Sequence, residues 1–262
     1  MRLGFIGCGN MAFALLNSIS AQGYAKDMIC YDISADALKA AKERFGVTGT
    51  DSNQAVAAES DVLVLAVKPR FYDAVIDEIK GDLKPGACVV TIAPGKSLLY
   101  MERAFGDSDI PVIRAMPNTP AMVGEGMTAL CQNEAVSHQQ MAFVQGMFDC
   151  CGKTEQVPEY MMEAVVAVSG SSPAYIYMLI EAMADGAVAQ GMPRKQAYAF
   201  AAQAVLGSAK MVLETGKHPG ELKDMVCSPG GTTIVAVEEL EAAGFRSAIL
   251  KAMRACADKA GE

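Results

Sequence analysis

The feature that most constrains the fold lies at the start of the chain, where a short apolar run leads into a glycine-rich turn. Residues 3–6 are apolar, and Gly7-Cys8-Gly9-Asn10-Met11-Ala12 follows them and opens a helical stretch. Two glycines between a strand and a helix allow a tight turn and let backbone N–H groups approach a pyrophosphate at the helix N-terminus. This context predicts a dinucleotide-binding βαβ unit rather than a plain tight turn.

Short apolar runs separated by amphipathic stretches continue to about Lys153. We predict strands at 3–6, 28–31, 62–66, 88–92 and 112–115, with helices between them. Near-continuous apolar strands with helical crossovers are typical of a mostly parallel sheet that is covered on both faces. The pattern predicts an α/β fold whose residues 1–153 form a Rossmann-type, doubly wound, dinucleotide-binding domain.

The remaining residues, 154–262, are predicted to form an all-helical domain. Helical stretches rich in Ala, Met and Glu occupy 160–190, 194–214, 234–242 and 245–260. A domain of this size and composition carries more apolar surface than a monomer usually exposes, so we expect a homodimer formed through these helices. Its longest uncharged run, 164–180, contains Gly170-Ser171-Ser172-Pro173 at its centre, which suits a membrane span poorly.

Composition narrows the class of partner and the compartment. The net charge is −8 and Lys and Arg form no cluster, which argues against nucleic acid or an anionic membrane and favours small metabolites. The eight cysteines show no paired framework and we see no secretory leader, so we expect a reducing cytoplasm. No spacing typical of a metal site is apparent, and we expect no metal.

Asp32 bears on the choice of dinucleotide, because it ends the second predicted strand about 20 residues beyond the glycine turn. An acidic side chain at this place can bind the adenosine ribose hydroxyls, which favours NADH. Alternatively, Asp32 caps the following segment, and Ser34 and Asn53 accommodate the 2′-phosphate of NADPH. The residues leave both cofactors, NADPH or NADH, open.

Two further turns leave predicted strands at their carboxyl ends, where open α/β sheets bind ligands. They are Ala66-Val67-Lys68-Pro69 and Ala93-Pro94-Gly95, and we expect both to border the cofactor. Lys68 is equally well explained as an exposed turn residue. Cys8, at a helix N-terminus, is either a reactive thiolate or a small residue that fits the glycine turn.

The most distinctive run of the second half is Asp-Met-Val-Cys-Ser-Pro-Gly-Gly-Thr-Thr-Ile at 224–234, a glycine-rich loop that leads into a helix. Successive N–H groups at a helix start, together with nearby hydroxyls, suit a small carboxylate. The candidate donors belong to Ser228, Gly230, Gly231, Thr232 and Thr233. The alternative is an ordinary helix cap with turn glycines, which requires no ligand.

The scarcity of acid and base residues restricts the chemistry. The chain has only His138 and His218, and no Ser/His/Asp order is apparent, which makes a His-based alcohol dehydrogenation a poor fit. A protonated imine already carries the positive charge that attracts hydride. The composition therefore favours reduction of a C=N bond.

Taken together, these motifs resemble the pyrroline-5-carboxylate reductase family over almost the whole chain. Besides the glycine turn and 66–69, they include Arg-Ala-Met-Pro-Asn-Thr-Pro at 114–120, Ser-Gly-Ser-Ser-Pro-Ala at 169–174 and the 224–234 run, which is the most specific of them. The resemblance implies reduction of 1-pyrroline-5-carboxylate to L-proline by NADPH or NADH. It also implies a dimer of intertwined C-terminal helices, which some members assemble into decamers.

Matching motifs also carry over expected roles. The substrate carboxylate would be held by Ser228, Gly230, Gly231, Thr232 and Thr233, with the Thr233 hydroxyl near the ring nitrogen as the nearest candidate for a catalytic assistant. Met116 and Asn118 would lie near the reacting face. The dinucleotide would be lined by Gly7 to Ala12, Asn53, Ala66 to Pro69 and Ala93 to Gly95.

Asp32 departs from the family pattern, since many relatives carry a small polar residue there and prefer NADPH. Two other function classes remain as alternatives. One is a β-hydroxyacid-dehydrogenase-type reductase, against which stands the lack of a Lys between Ala174 and Lys195. The other is a non-catalytic dinucleotide-sensing protein, against which stands the intact loop at 224–234.

Overall fold

The computed structural model describes residues 1–106 and 109–261 and divides the chain into two compact units. The first, which we call the sheet unit, comprises Met1–Ser171 and the segment from Cys256 onward. The second, the helical unit, is Ser172–Ala255. This division falls later than the boundary expected after residue 153, because a polar strand, Gly152–Gln156, and the first helical turns still pack with the sheet.

The described residues of the sheet unit form one eight-stranded sheet in the order β3-β2-β1-β4-β5-β6-β7-β8. The strands are β1 Leu3–Ile6, β2 Met28–Tyr31, β3 Thr48–Gly49, β4 Val62–Leu65, β5 Cys88–Thr91, β6 Val112–Met116, β7 Gly126–Gln132 and β8 Gly152–Gln156. Every neighbouring pair is parallel except β6 and β7. The five predicted strands and the doubly wound α/β fold are confirmed.

Helices cover the sheet and make up the second unit. The α-helices are α1 Asn10–Gln22, α2 Ala35–Phe45, α3 Asn53–Glu59, α4 Tyr72–Ile79, α5 Leu98–Phe105, α6 His138–Asp149, α7 Met162–Val165, α8 Ser172–Ala189, α9 Arg194–Thr215, α10 Pro219–Val226, α11 Thr232–Ala242 and α12 Phe245–Ala260. Short 3-10 helices occur at Pro69–Phe71, Thr119–Val123 and Glu159–Met161, and a π-helix at Val166–Gly170.

Alternate residues of each central strand point to opposite faces of the sheet, and both faces are covered. In β4, Val62 and Val64 join the apolar cluster on one face, whereas Leu63 and Leu65 join the cluster on the other. All four side chains are fully buried. Burying each such side chain contributes on the order of 2 kcal/mol, which is why the strand sequence is apolar without interruption.

Strands β7 and β8 lie at the far edge of the sheet and carry weaker sequence signals. β8 reads Gly-Lys-Thr-Glu-Gln and is largely exposed, so it lacks the apolar run that marks the central strands. The connection from β6 to β7 reverses direction, and β7 pairs antiparallel with Met116 opposite Ala129. Pairing with a neighbour, rather than burial of side chains, defines β8.

The helical unit covers little of its own apolar surface. All of its residues are described, and Ala184, Ala197 and Ala201 are its buried hydrophobic residues. Large apolar side chains such as Met178, Phe200 and Leu213 are more than 60% exposed. The helical run Glu159–Ala189 is also long and apolar enough to span a membrane by length and composition alone. A surface of this kind requires cover from another molecule.

Candidate functional site

The carboxyl ends of the central strands form the edge where a ligand is expected. The order of the strands reverses between β1 and β4, so the loops after these two strands leave the sheet on opposite sides and open a crevice. The glycine turn 7–12 follows β1, the turn 66–69 follows β4 and the turn 93–95 follows shortly after β5. The structure thus brings together three predicted cofactor turns on adjacent strands.

Gly7 makes the tight turn that the sequence predicts. Its φ is +95°, a region that favours glycine, and a Cβ there would lie 2.9 Å from the carbonyl oxygen of Ala66. Its backbone N–H donates to the carbonyl of Tyr31, at 2.9 Å. The turn is therefore packed against both neighbouring strands, and only a residue without a side chain fits.

Gly9 differs from Gly7, because it faces open space. It is the N-cap residue of α1, a Cβ built on it would meet nothing within 4 Å, and no side chain of the described residues caps this helix. The N–H groups of the first turn of α1, which include those of Asn10 and Met11, are thus available to an anion, while Ala12 is fully buried beneath them. This geometry fits a dinucleotide pyrophosphate.

Asp32 joins the end of β2 to the glycine turn. Its Oδ2 accepts a 2.6 Å hydrogen bond from the backbone N–H of Cys8, and its Oδ1 accepts a 2.8 Å hydrogen bond from the N–H of Ser34. Each oxygen of a carboxylate can accept more than one hydrogen bond, so a ribose hydroxyl can still bind. Asp32 both holds the turn and places a negative charge beside it.

The two polar residues that could accommodate a 2′-phosphate also make hydrogen bonds within the protein. The Ser34 hydroxyl caps α2 by accepting from the N–H of Ala37 at 3.3 Å. The Asn53 side chain is buried, and its amide donates to Oε2 of Glu78 at 2.6 Å. Between Asp32 and Ser34, the side chain of Ile33 is 86% exposed and offers no hydrogen-bond donor. Because Ser34 Oγ accepts in its bond with Ala37, its O–H can still donate to a ligand.

The Cys8 thiol lies in surroundings that favour its protonated form. It is buried, and contact with the Cys30 thiol together with desolvation raises the pKa of Cys8 above its usual value. A thiol of raised pKa stays protonated at neutral pH and reacts slowly. Burial and the raised pKa favour the interpretation of Cys8 as a small residue within the turn over that of a reactive thiolate.

The turns after β4 and β5 are held by buried groups beneath them. The N–H of Ala66 donates to the carbonyl of Ile6 at 2.8 Å, and Lys68 is exposed at the start of the 3-10 helix Pro69–Phe71. Pro94 and Gly95 are exposed, whereas Ala93 is buried. Below both turns lie the buried hydroxyls of Tyr72 and Thr91, which the motif reading missed because neither residue belongs to a glycine turn.

Met116 and Asn118, expected at the reacting face, are both buried. Met116 packs in an apolar cluster with Met162 and Val166. The Asn118 amide donates to the carbonyl of Ser169 at 3.0 Å, and its oxygen accepts from the N–H of Met127 at 2.9 Å. Both ends of the Asn118 side chain are thus bonded to backbone, which gives it a structural role whether or not substrate lies beside it.

The glycine-rich loop of the helical unit joins α10 to α11. Gly230 has φ +67°, and the N–H of Gly231 donates to the carbonyl of Ser228 at 3.0 Å, which closes a tight turn. The loop and its donors are largely exposed: Ser228, Gly230, Thr232 and Thr233 are exposed and Gly231 is half-buried.

No side chain among the described residues caps α11, whose N-cap residue is Gly231. The hydroxyls of Ser228, Thr232 and Thr233 therefore do not cap this helix as the alternative interpretation required. The free N–H groups and the hydroxyls of Ser228, Thr232 and Thr233 stand close together in sequence at one helix start, an arrangement suited to a carboxylate.

Comparison with known proteins identifies the family. A protein of Escherichia coli (strain K12) named pyrroline-5-carboxylate reductase is 52% identical over 260 residues, which cover 98% of this chain and 96% of the relative. The chain belongs to the pyrroline-5-carboxylate reductase family. Residues 159–262 match the family model described as pyrroline-5-carboxylate reductase dimerisation, and residues 2–95 match that of coenzyme F420-dependent NADP oxidoreductases.

Solved structures of this family share the fold over the full chain. A pyrroline-5-carboxylate reductase from Coxiella burnetii is 36% identical, with a TM-score of 0.92 over 99% of this chain and 97% of the other. The Plasmodium falciparum enzyme with NADP bound is 31% identical, with a TM-score of 0.90 over 100% of this chain and 97% of the other. The Rossmann-type half and the helical dimerisation half are thereby confirmed, and the exposed apolar helices belong to the part that self-associates.

Proposed function

We propose that this protein reduces the C=N bond of 1-pyrroline-5-carboxylate to give L-proline, the last step of proline biosynthesis, with NADH or NADPH as hydride donor. The observation that carries the proposal is the uncapped start of α11, where Gly230 and Gly231 and three hydroxyls form a compact set of donors. Such a set suits the carboxylate of a small imino acid. The open glycine turn of the sheet unit supplies the place for the dinucleotide.

The residues of the sheet unit hold and orient the dinucleotide. The first-turn N–H groups of α1 receive the pyrophosphate, Gly7 brings the backbone close, and the turns 66–69 and 93–95 border the nicotinamide half. The bound dinucleotide supplies a hydride, and the protein supplies orientation and exclusion of competing reactions. Positioning of this kind is sufficient for a substrate whose protonated imine is already electrophilic.

In the helical unit, Ser228, Gly230, Gly231, Thr232 and Thr233 hold the substrate carboxylate. The Thr233 hydroxyl lies near the ring nitrogen and assists proton transfer at that atom. Met116 and Asn118 shape the reacting face from beneath rather than by direct hydrogen bonds, because both are buried and the Asn118 amide is already bonded.

The finer proposal is a preference for NADH. Asp32 places a carboxylate beside the glycine turn, where it accepts ribose hydroxyls and repels the 2′-phosphate of NADPH. Of the two residues that would favour NADPH, Asn53 donates its amide to Glu78, whereas the Ser34 hydroxyl only accepts from the backbone of α2 and can still donate. We place the enzyme in the cytoplasm, as a homodimer that can assemble further, and the eight free cysteines suit a reducing compartment.

The test is spectrophotometric oxidation of NADH and of NADPH by the purified protein, with and without 1-pyrroline-5-carboxylate, and with proline measured as product. We expect oxidation that requires the substrate and yields proline, faster with NADH. Binding of either dinucleotide without oxidation would indicate a dinucleotide-sensing protein. Oxidation with β-hydroxyacid-type carbonyl substrates alone would indicate the rival reductase.

A further inference from the structure

Tyr72 is the largest fully buried side chain of the described residues, and its hydroxyl lies between the ends of two strands. It is the first residue of α4, and its Oη donates to the carbonyl of Leu65, the last residue of β4, at 2.7 Å. The same oxygen accepts from Oγ1 of Thr91, the last residue of β5, at 3.0 Å. One phenol therefore bridges the carboxyl ends of β4 and β5.

The bridge extends into both turns that follow these strands. The Leu65 carbonyl belongs to the peptide bond that begins the turn 66–69. On the other side, Oγ1 of Thr91 accepts from the N–H of Ala93, the first residue of the turn 93–95, at 3.4 Å. A chain of three hydrogen bonds thus runs from Ala93 through Thr91 and Tyr72 to Leu65, and each hydroxyl in it donates once.

Filling the core does not require this hydroxyl. A phenylalanine would occupy nearly the same volume, and a buried hydroxyl carries a desolvation cost that only its hydrogen bonds offset. Burial also raises the pKa of Tyr72 to about 12, so the phenol keeps its proton at neutral pH and remains the donor to Leu65. We therefore attribute the Tyr72 hydroxyl to the hydrogen bonds it makes with Leu65 and Thr91.

We propose that Tyr72 and Thr91 are positioning residues that fix the spacing of the turns 66–69 and 93–95 and thereby set the affinity for the dinucleotide. A ligand that contacts both turns at once binds most tightly when their spacing is held before it arrives. Neither residue touches the dinucleotide. The inference rests on the proposed function, since it takes these two turns as the border of the nicotinamide half.

The experiment measures the dissociation constant of NADH for the full-length protein, by fluorescence titration without substrate. We expect Tyr72→Phe to weaken binding about three- to tenfold, the effect of losing one or two neutral hydrogen bonds. Thr91→Val, which keeps the side-chain shape, has the same effect, and Thr91→Ser, which keeps the hydroxyl, restores binding. The double variant is no weaker than either single one, because the bonds act as one chain.

Two further measurements separate positioning from general loss of stability. Tyr24→Phe removes an exposed hydroxyl that bonds the carbonyl of Phe143, far along the chain, and should leave the NADH affinity unchanged. The KM for 1-pyrroline-5-carboxylate at saturating NADH should be the same in Tyr72→Phe and wild type.

Wild-type affinity in both Tyr72→Phe and Thr91→Val would overturn the inference while leaving the proposed function intact. Equal weakening by Tyr24→Phe would also overturn it, since the effect would then be general. A wild-type protein that binds neither NADH nor NADPH would remove the proposed function and this inference together. If Tyr72→Phe does not fold, the Thr91 pair of variants decides.

Discussion

The Asp32 carboxylate accepts a 2.6 Å hydrogen bond from the backbone N–H of Cys8, so a single side chain joins the end of β2 to the glycine turn. The residue expected to select the cofactor thus also braces the loop that is expected to bind it. A substitution of Asp32 removes both its negative charge and its hydrogen bond to the glycine turn.

We expect Asp32→Ser to shift the preference from NADH towards NADPH. Removal of the carboxylate relieves its repulsion of the 2′-phosphate, and the ratio of kcat/KM for NADH to that for NADPH falls at least about tenfold, a change of about 1.4 kcal/mol. Steady-state kinetics with both dinucleotides measure the ratio. The control Asp36→Ser makes the same change in net charge without touching the glycine turn, and an equal shift in that variant would contradict the assignment.

Gly9→Ala is expected to separate stability from dinucleotide binding. A Cβ at Gly9 meets nothing within 4 Å, so Tm should change by no more than about 2 °C. The methyl group would stand where we expect the pyrophosphate to approach α1, so the NADH dissociation constant should rise about tenfold or more. Gly81→Ala, equally unhindered, is the matched control and should bind NADH normally. Normal binding by Gly9→Ala would place the pyrophosphate elsewhere.

Gly7→Ala should have the opposite signature. The positive φ and the approach of the new Cβ to the Ala66 carbonyl destabilise the fold by about 1–3 kcal/mol. Chemical denaturation of Gly7→Ala beside wild type tests this. Equal unfolding midpoints would mean that the turn relaxes without strain.

Thr233→Ala should lower turnover and spare the dinucleotide. The substitution removes one exposed hydroxyl from the first turn of α11, and we expect kcat to fall about tenfold while the NADH dissociation constant stays unchanged. Thr233→Ser should recover most of the activity. Thr215→Ala, which removes an exposed threonine hydroxyl at the end of α9, is the control. Unchanged kcat in Thr233→Ala would remove this hydroxyl from the mechanism.

Phe200→Glu should weaken self-association. Phe200 lies on α9 and is 67% exposed in one chain, so a charge at this position would be buried without a partner when two chains meet. Light scattering coupled to size exclusion should show a monomer at concentrations where the wild type is dimeric. Val123→Glu changes an apolar residue of the sheet unit that is 77% exposed and should leave the dimer intact. A dimeric Phe200→Glu would place the interface on another helix face.

Much of this architecture could be predicted from the sequence, because strands that are buried on both faces are apolar throughout. The residues 62–65 are apolar because both faces of β4 are covered, and the turn at Gly7 needs glycine at a defined point after a strand. β8 was not predicted, because its pairing with β7 defines it as a strand. Backbone pairing does not require apolar residues, and Lys153 and Glu155 are charged. The bridge through Tyr72 was not predicted either, because its hydrogen bond with Thr91 joins residues that are distant in the sequence.

The sequence predicts which loops form the candidate site, but it does not predict the hydrogen bonds that support those loops. Asp32 was recognised from its distance to the glycines, but its bond to Cys8 depends on how the turn folds back. Asn118 was expected to face substrate from its motif, whereas its amide lies between Ser169 and Met127. A motif marks which residues gather at a site and leaves open which of their atoms are already in use.

The segment from Cys256 onward packs with the sheet unit, where Cys256 and Ala260 lie against the cluster of Met116, Met162 and Val166 and the Cys256 thiol donates to the Ser171 hydroxyl. These residues are synthesised after the helical unit. A growing chain therefore leaves the ribosome with the cluster at the end of β6 still uncovered, and the first unit closes only after the helical unit has been made. The sheet unit is thus the first to be started and the last to be completed.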